Sequence, residues 1–171
     1  MKSVGNIKPK FENWMAEDFR AANLPFIEPM TCQEFDEKYL KKFPGLWLAN
    51  IKYDGFRAIC IVTENGNRFF SRRISKKTDW FAENTDNVPH LRDRKGLPVG
   101  TILDGEFIHP LGFSSMQSAV GSLPSTGVKY QLQHGLIEYH VFDILQLGED
   151  NYTHMDYIFR ASVLHRGSRL N

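Results

Sequence analysis

The sequence predicts an α+β domain built on antiparallel strand pairing. Apolar spacing is helical before residue 45 and becomes strand-like after it, where aromatic and β-branched runs dominate. The turn signals Asp54-Gly55 and Asn65-Gly66 separate those runs at hairpin spacing. The resulting order of helix, helix, sheet, helix, sheet, helix indicates one α+β unit. At 171 residues, with 42% hydrophobic and 24% charged, the chain can bury a core and is neither a disordered tail nor a small disulfide scaffold.

The elements follow in order. Phe11, Trp14, Met15 and Phe19 lie at roughly helical spacing, predicting a short amphipathic helix over Phe11 to Ala22, which Leu24-Pro25 and Glu28-Pro29 break. Thr31 three residues before Glu34 has the capping-box pattern, Phe35, Tyr39 and Leu40 share one face, and Pro44-Gly45 ends this second helix. Leu46 to Ile51, Phe56 to Thr63 and Arg68 to Ser71 are expected to form a three-stranded meander. Ser75 to Gly100 is polar with one helix in its middle. Thr101 to Ile108 reads as a strand, Ser114 to Val120 as a helical turn and Ser122 to Gly127 as a loop. Glu138 to Leu147 is another strand, and Thr153 with Asp156 caps a final helix carrying Met155, Ile158, Phe159 and Val163.

Lysine plus arginine total 21 and aspartate plus glutamate 20, so a nucleic-acid partner must be argued from local clusters. Two cysteines, Cys32 and Cys60, favour a reducing compartment. Neither a signal peptide nor an apolar run long enough to span a membrane is present, so the expectation is a soluble, cytoplasmic protein without membrane contact, in a bacterium or a virus-infected host cell.

Three islands could carry chemistry. Lys52-Tyr53-Asp54-Gly55-Phe56-Arg57 reads either as a hairpin turn with a snorkelling lysine or as a lysine fixed at the mouth of a sheet, beside a turn that lets a ligand approach. A lysine amine attacks only when deprotonated, which neighbouring cations and partial burial favour. Leu103-Asp104-Gly105-Glu106 places two carboxylates beside a glycine inside an apolar strand, alone no more than a bulge or tight turn. Val141 to Leu145 alone is a core strand. Between the first two islands, Arg68 to Lys77 holds five cations with Phe69 and Phe70 interleaved, a solvated face or a phosphate cradle.

Together, in this order and spacing, the islands resemble the covalent nucleotidyltransferases, and within them the compact viral or bacterial ATP-dependent DNA ligases. Lys52-x-Asp54-Gly55-x-Arg57 resembles the signature around the nucleotide-accepting lysine, and Ser71-Arg72 the arginine motif after it. Leu103-Asp104-Gly105-Glu106 resembles the carboxylate motif and Phe142-Asp143-Ile144-Leu145 the aromatic motif, with a weaker match at Arg160 to Leu164.

The resemblance implies an antiparallel-sheet adenylation domain with flanking helices. Lys52 is then the catalytic residue, attacking the α-phosphate of ATP, with Mg²⁺ as cofactor and nicked duplex DNA as the partner of a monomer. Asn50, Ile51, Arg57, Arg72, Glu106 and Phe142 become nucleotide-binding positions. Arg57 and Glu106 serve the ribose or α-phosphate, Phe142 stacks on adenine, and Glu106 is also the metal ligand. Arg72, Arg73, Lys76 and Lys77 become the DNA-binding cations, while Asp54 shapes the turn. Many relatives have a glutamate two residues before the lysine, where this chain has Asn50.

Residues 1–45 are read as an N-terminal helical segment and 46–171 as the front part of an adenylation domain, incomplete at the C-terminus. The later glutamate-glycine and lysine-x-lysine motifs and the OB-fold domain are expected to be absent, on another chain or lost, and self-adenylation to be weak. A capping guanylyltransferase-like enzyme and a non-catalytic nucleic-acid-binding fragment are the alternatives.

Overall fold

The computed structural model describes residues 30, 36–45, 47–75 and 80–167. The expected helix over Phe11 to Ala22, the Thr31–Glu34 cap, Lys76 and Lys77 lie outside them. Helix α1, Lys38–Lys42, buries none of its residues and ends just before Pro44-Gly45.

The centre of the molecule is one six-stranded sheet in the order β3-β2-β1-β4-β5-β6. Its strands are β1 Phe56–Thr63, β2 Gly66–Ser75, β3 Trp80–Glu83, β4 Ile102–Ile108, β5 Glu138–Leu147 and β6 Asp150–Asn151, and every pairing is antiparallel. The Asn65-Gly66 turn joins β1 to β2 as expected, with Gly66 at φ 113°, a region open to glycine.

Two readings of the meander are corrected. Residues 47–54 form no strand: their composition is strand-like, but no ladder takes up their backbone groups. The third strand of this part is instead β3, inside the stretch read as polar with a single helix. Nor is Asp54-Gly55 a turn between two strands. Gly55 is small because it lies hard against the end of β4, where a Cβ would overlap the Phe107 carbonyl oxygen and meet the Ile108 side chain at 2.7 Å.

Helix α2, Pro89–Arg92, is the expected helix of the polar stretch. Helix α3, Met116–Ala119, follows a 3-10 turn at Phe113–Ser115. The loop expected over Ser122 to Gly127 is corrected, because α4, Pro124–His134, begins inside it. Proline at its first turn and Gly135 at its C-cap, φ 114°, delimit this helix. Helix α5, Tyr157–Gly167, is present, but Thr153 is not its cap, since its amide and hydroxyl both donate to Asn151 Oδ1.

Strand alternation sorts the side chains onto two faces. One face carries Ala58, Cys60, Phe69, Leu103, Phe107 and Ile144, covered by Val88, Leu91, Met116, Ala119 and Val120 to make the main core. The other holds a smaller apolar cluster of Ile59, Ile61, Phe70, Ile102 and Leu145. On the core face, the Tyr139 ring lies over Gly105 and its hydroxyl donates to the carbonyls of Ala58 and Leu103.

Candidate active site

The second face becomes polar beyond Ile59. Arg57 pairs across the ladder with Glu106, and Ile59 with Asp104, so Arg57, Asp104 and Glu106 lie on one side of the sheet. Arg57 donates from Nε to Asp104 Oδ1 at 3.0 Å and from Nη2 to Oδ2 at 2.5 Å, and from Nη1 to the Met30 carbonyl. This two-point fork fits the planar carboxylate and fixes the guanidinium plane. Asp104 is 3% exposed. Burial pushes its carboxyl above the ordinary value against the pull of Arg57, and Asp143 adds to the rise.

Asp143 stands directly opposite Asp104 on β5 and has its own arginine. Arg160 of α5 donates to it from Nε at 2.8 Å and Nη2 at 2.7 Å, both side chains being buried, and from Nη1 to the Met155 carbonyl. These bonds to Asp143 hold the Arg160 guanidinium above its ordinary value. Two adjacent buried carboxylates are thus each matched by a guanidinium from a different element, as the cost of burying charge demands.

Past Asp143 the ladder slips. Asp104 faces Asp143, yet Gly105 faces Val141, so β5 has one surplus residue, Phe142. A bulge of this kind re-aims a side chain. Phe142 meets the Arg57 guanidinium at 5.5 Å from ring centre to Cζ, a cation–π arrangement. A second slip, between Ile102 and Leu103, makes Leu145 surplus, and Leu145 joins the small apolar cluster on that same face.

Glu106 Oε1 accepts the Gly55 amide proton at 2.9 Å. The carboxylate island is thereby tied to the lysine island, because Lys52 is three residues from Gly55, within about 11 Å of fully extended chain. Lys52 is exposed, so the partial burial expected to favour its free amine is not present. Ile51 is 72% exposed, and Asn50 donates from Nδ2 to the Tyr157 hydroxyl at 2.5 Å. Arg72 and Arg73 are exposed on β2, in the stretch where its pairing with β3 is irregular. Among the described residues no three His, Cys, Asp or Glu side chains form a metal-holding group. A shallow depression lined by Lys42, Phe43, Pro44, Gly45 and Trp47 shares no residue with this cluster.

Lys52, Arg57, Glu106 and Phe142 stand out in the sequence as candidates, whereas much of what holds them does not. Asp104 and Asp143 lie inside the carboxylate and aromatic motifs with no role of their own in the sequence reading, although acidic residues in buried strands call for cationic partners. Tyr157 and His140 carried no signal at all.

A polar strand face with a bulged aromatic, paired arginines and a carboxylate bound to a lysine-bearing segment defines a candidate nucleotide-handling α+β domain. A family model described as ATP dependent DNA ligase domain matches residues 29–168, and the chain belongs to that family. DNA ligase C of Mycobacterium tuberculosis is 30% identical over 117 residues, which are 66% of this chain and 31% of that protein. Two solved structures, a mycobacterial DNA ligase D complexed with ATP and MES and the ligase domain of LigD from M. tuberculosis, each align with a TM-score of 0.46 at 21% identity, over 69% of this chain and 35% of theirs. The chain therefore spans about a third of the length of these relatives. Among the described residues no helix is long and apolar enough to cross a membrane.

Proposed function

We propose that this chain carries the lysine-adenylation step of an ATP-dependent DNA ligase acting on nicked duplex DNA in replication, repair or recombination. The Lys52 amine, once its proton has left, attacks the α-phosphorus of ATP. The new P–N bond forms as the P–O bond to pyrophosphate breaks, leaving AMP on the lysine as a phosphoramidate. A nick 5′-phosphate then takes the AMP and the amine is regenerated.

The observation that carries this reading is the Gly55–Glu106 hydrogen bond, which brings the lysine segment to the strand face where Arg57 and Phe142 meet. Phe142 offers a ring for adenine, Asn50 and Ile51 lie in the exposed approach to Lys52, and Arg57, already oriented by Asp104, serves the sugar or α-phosphate side. Glu106 is the carboxylate that would hold a Mg²⁺ ion, a cation that needs few protein ligands, and the ion would supply neutralisation of charge on the phosphates. Arg72 and Arg73, with Lys76 and Lys77, supply cations for the DNA backbone and make affinity salt-dependent. Family membership favours ATP over GTP, and so the ligase over the capping reaction.

Incubation with α-labelled ATP and Mg²⁺ tests the proposal. Label that survives denaturation, maps to Lys52 and vanishes in Lys52→Ala is expected, however small its yield. Label elsewhere, preference for GTP, or DNA binding with no labelling at any ATP concentration would overturn it.

A further inference from the structure

Residues 47–54 belong to no strand or helix, so no backbone ladder sets the position of Lys52. Contacts with side chains set it instead, at Asn50, Tyr53 and Gly55. Asn50 Nδ2 donates to the Tyr157 hydroxyl, which in turn donates its single proton to the Phe142 carbonyl at 3.1 Å. The Tyr53 ring lies 4.7 Å from the His140 ring, and His140 Nε2 is itself 2.8 Å from Glu138 Oε2. Gly55 is held by Glu106, which pairs with His140 across the β4–β5 ladder.

We infer that Tyr157 and His140 are positioning residues that hold the Lys52 segment against the bulged strand β5, one on each side of the lysine. Tyr157 is suited to this by its place in the first turn of α5, which the buried Arg160–Asp143 fork anchors to β5. Its hydroxyl also explains an amide at position 50. With the hydroxyl proton given to Phe142, only a donor can complete the bond, and a glutamate carboxylate has none. Held between these two contacts, Lys52, Ile51 and Asp54 stay exposed. The reaction served is the one proposed above, so this inference rests on that reading for its purpose, while the holding contacts stand on their own geometry.

Amide hydrogen exchange and single-turnover labelling of the full chain test it with Tyr157→Phe, His140→Ala and His140→Phe. Tyr157→Phe keeps the ring that Arg160 faces at 5.7 Å and removes both hydroxyl bonds. Exchange of the Gly55 amide, whose proton Glu106 accepts, is expected to quicken about tenfold in Tyr157→Phe and His140→Ala, with β1 and β4 unchanged. The rate constant for AMP transfer from α-labelled ATP falls about tenfold with the dissociation constant for ATP little altered, since misplacement of the nucleophile slows the step more than binding. His140→Phe, which keeps a ring beside Tyr53, restores both readouts. Unchanged exchange at the Gly55 amide, or a rise spread through the whole sheet, overturns the inference whether or not the chain labels. So does a transfer rate that the variants leave intact. Quickened exchange in a chain whose wild type never labels sinks the adenylation reading and leaves the holding contacts standing.

Discussion

Arg57→Ala removes one partner of a nearly dry ion pair and leaves the Asp104 carboxylate, 3% exposed, beside Asp143. Breaking such a pair from one side costs about 3–5 kcal/mol. The Arg57 side chain keeps 19% of its exposure, so water can reach the vacated place, and about 3 kcal/mol is the expected loss at neutral pH. For 171 residues that corresponds to a fall in Tm of about 6–12 °C.

The pH dependence identifies the cause. Asp104 titrates above its unfolded value of 3.8, so between that value and its native one the folded chain binds more protons than the unfolded chain. Stability from this group therefore falls as pH rises through the window. Without Arg57 the native value climbs further and the window widens, so the variant's deficit grows towards neutral pH and shrinks on acidification to about pH 5. Urea unfolding of wild type and variant at both pH values measures the difference, and adding Asp104→Asn to the variant is expected to recover part of the loss at neutral pH. An equal deficit at both pH values, or no recovery, would mean that an unpaired charge is not what the mutation creates.

Two further outcomes follow from the core face. In Gly105→Ala the new Cβ would lie 2.6 Å from the His140 carbonyl oxygen and 2.7 Å from the Tyr139 ring, displacing a hydroxyl that bonds two strands. A loss of about 2–4 kcal/mol is expected by urea unfolding, and one under about 1 kcal/mol would contradict the packing described. Burial pushes the Cys60 thiol up to about 12, so the native chain should resist alkylation near neutral pH and lose stability as pH rises above about 9, where only the unfolded thiol ionises. Alkylation of the folded chain at the rate of a free thiol would refute this.

The strands richest in β-branched and aromatic residues were legible from local pattern. The bounds of β5 coincide with those expected, and β4 begins one residue later. Residues 47–51 have a similar composition and form no strand, because pairing needs a partner that single-strand composition does not reveal. Helix α4 is marked only by Pro124 and Gly135, with mostly polar residues and few apolar ones between them. The motif residues were legible by their order along the chain. Their arrangement was not, since the face of Phe142 depends on a slip between two strands and the Asn50–Tyr157 bond spans 107 positions.

The surplus in β5 makes its residue count, and not merely its residue types, part of the proposed site. Excising Phe142 would let β4 and β5 pair evenly from Leu103 to Ile108, a locally better sheet that no longer presents an aromatic ring above Arg57. Length variation tolerable in most surface segments would thus cost this strand its bulge, exchanging the geometry of the proposed site for regularity.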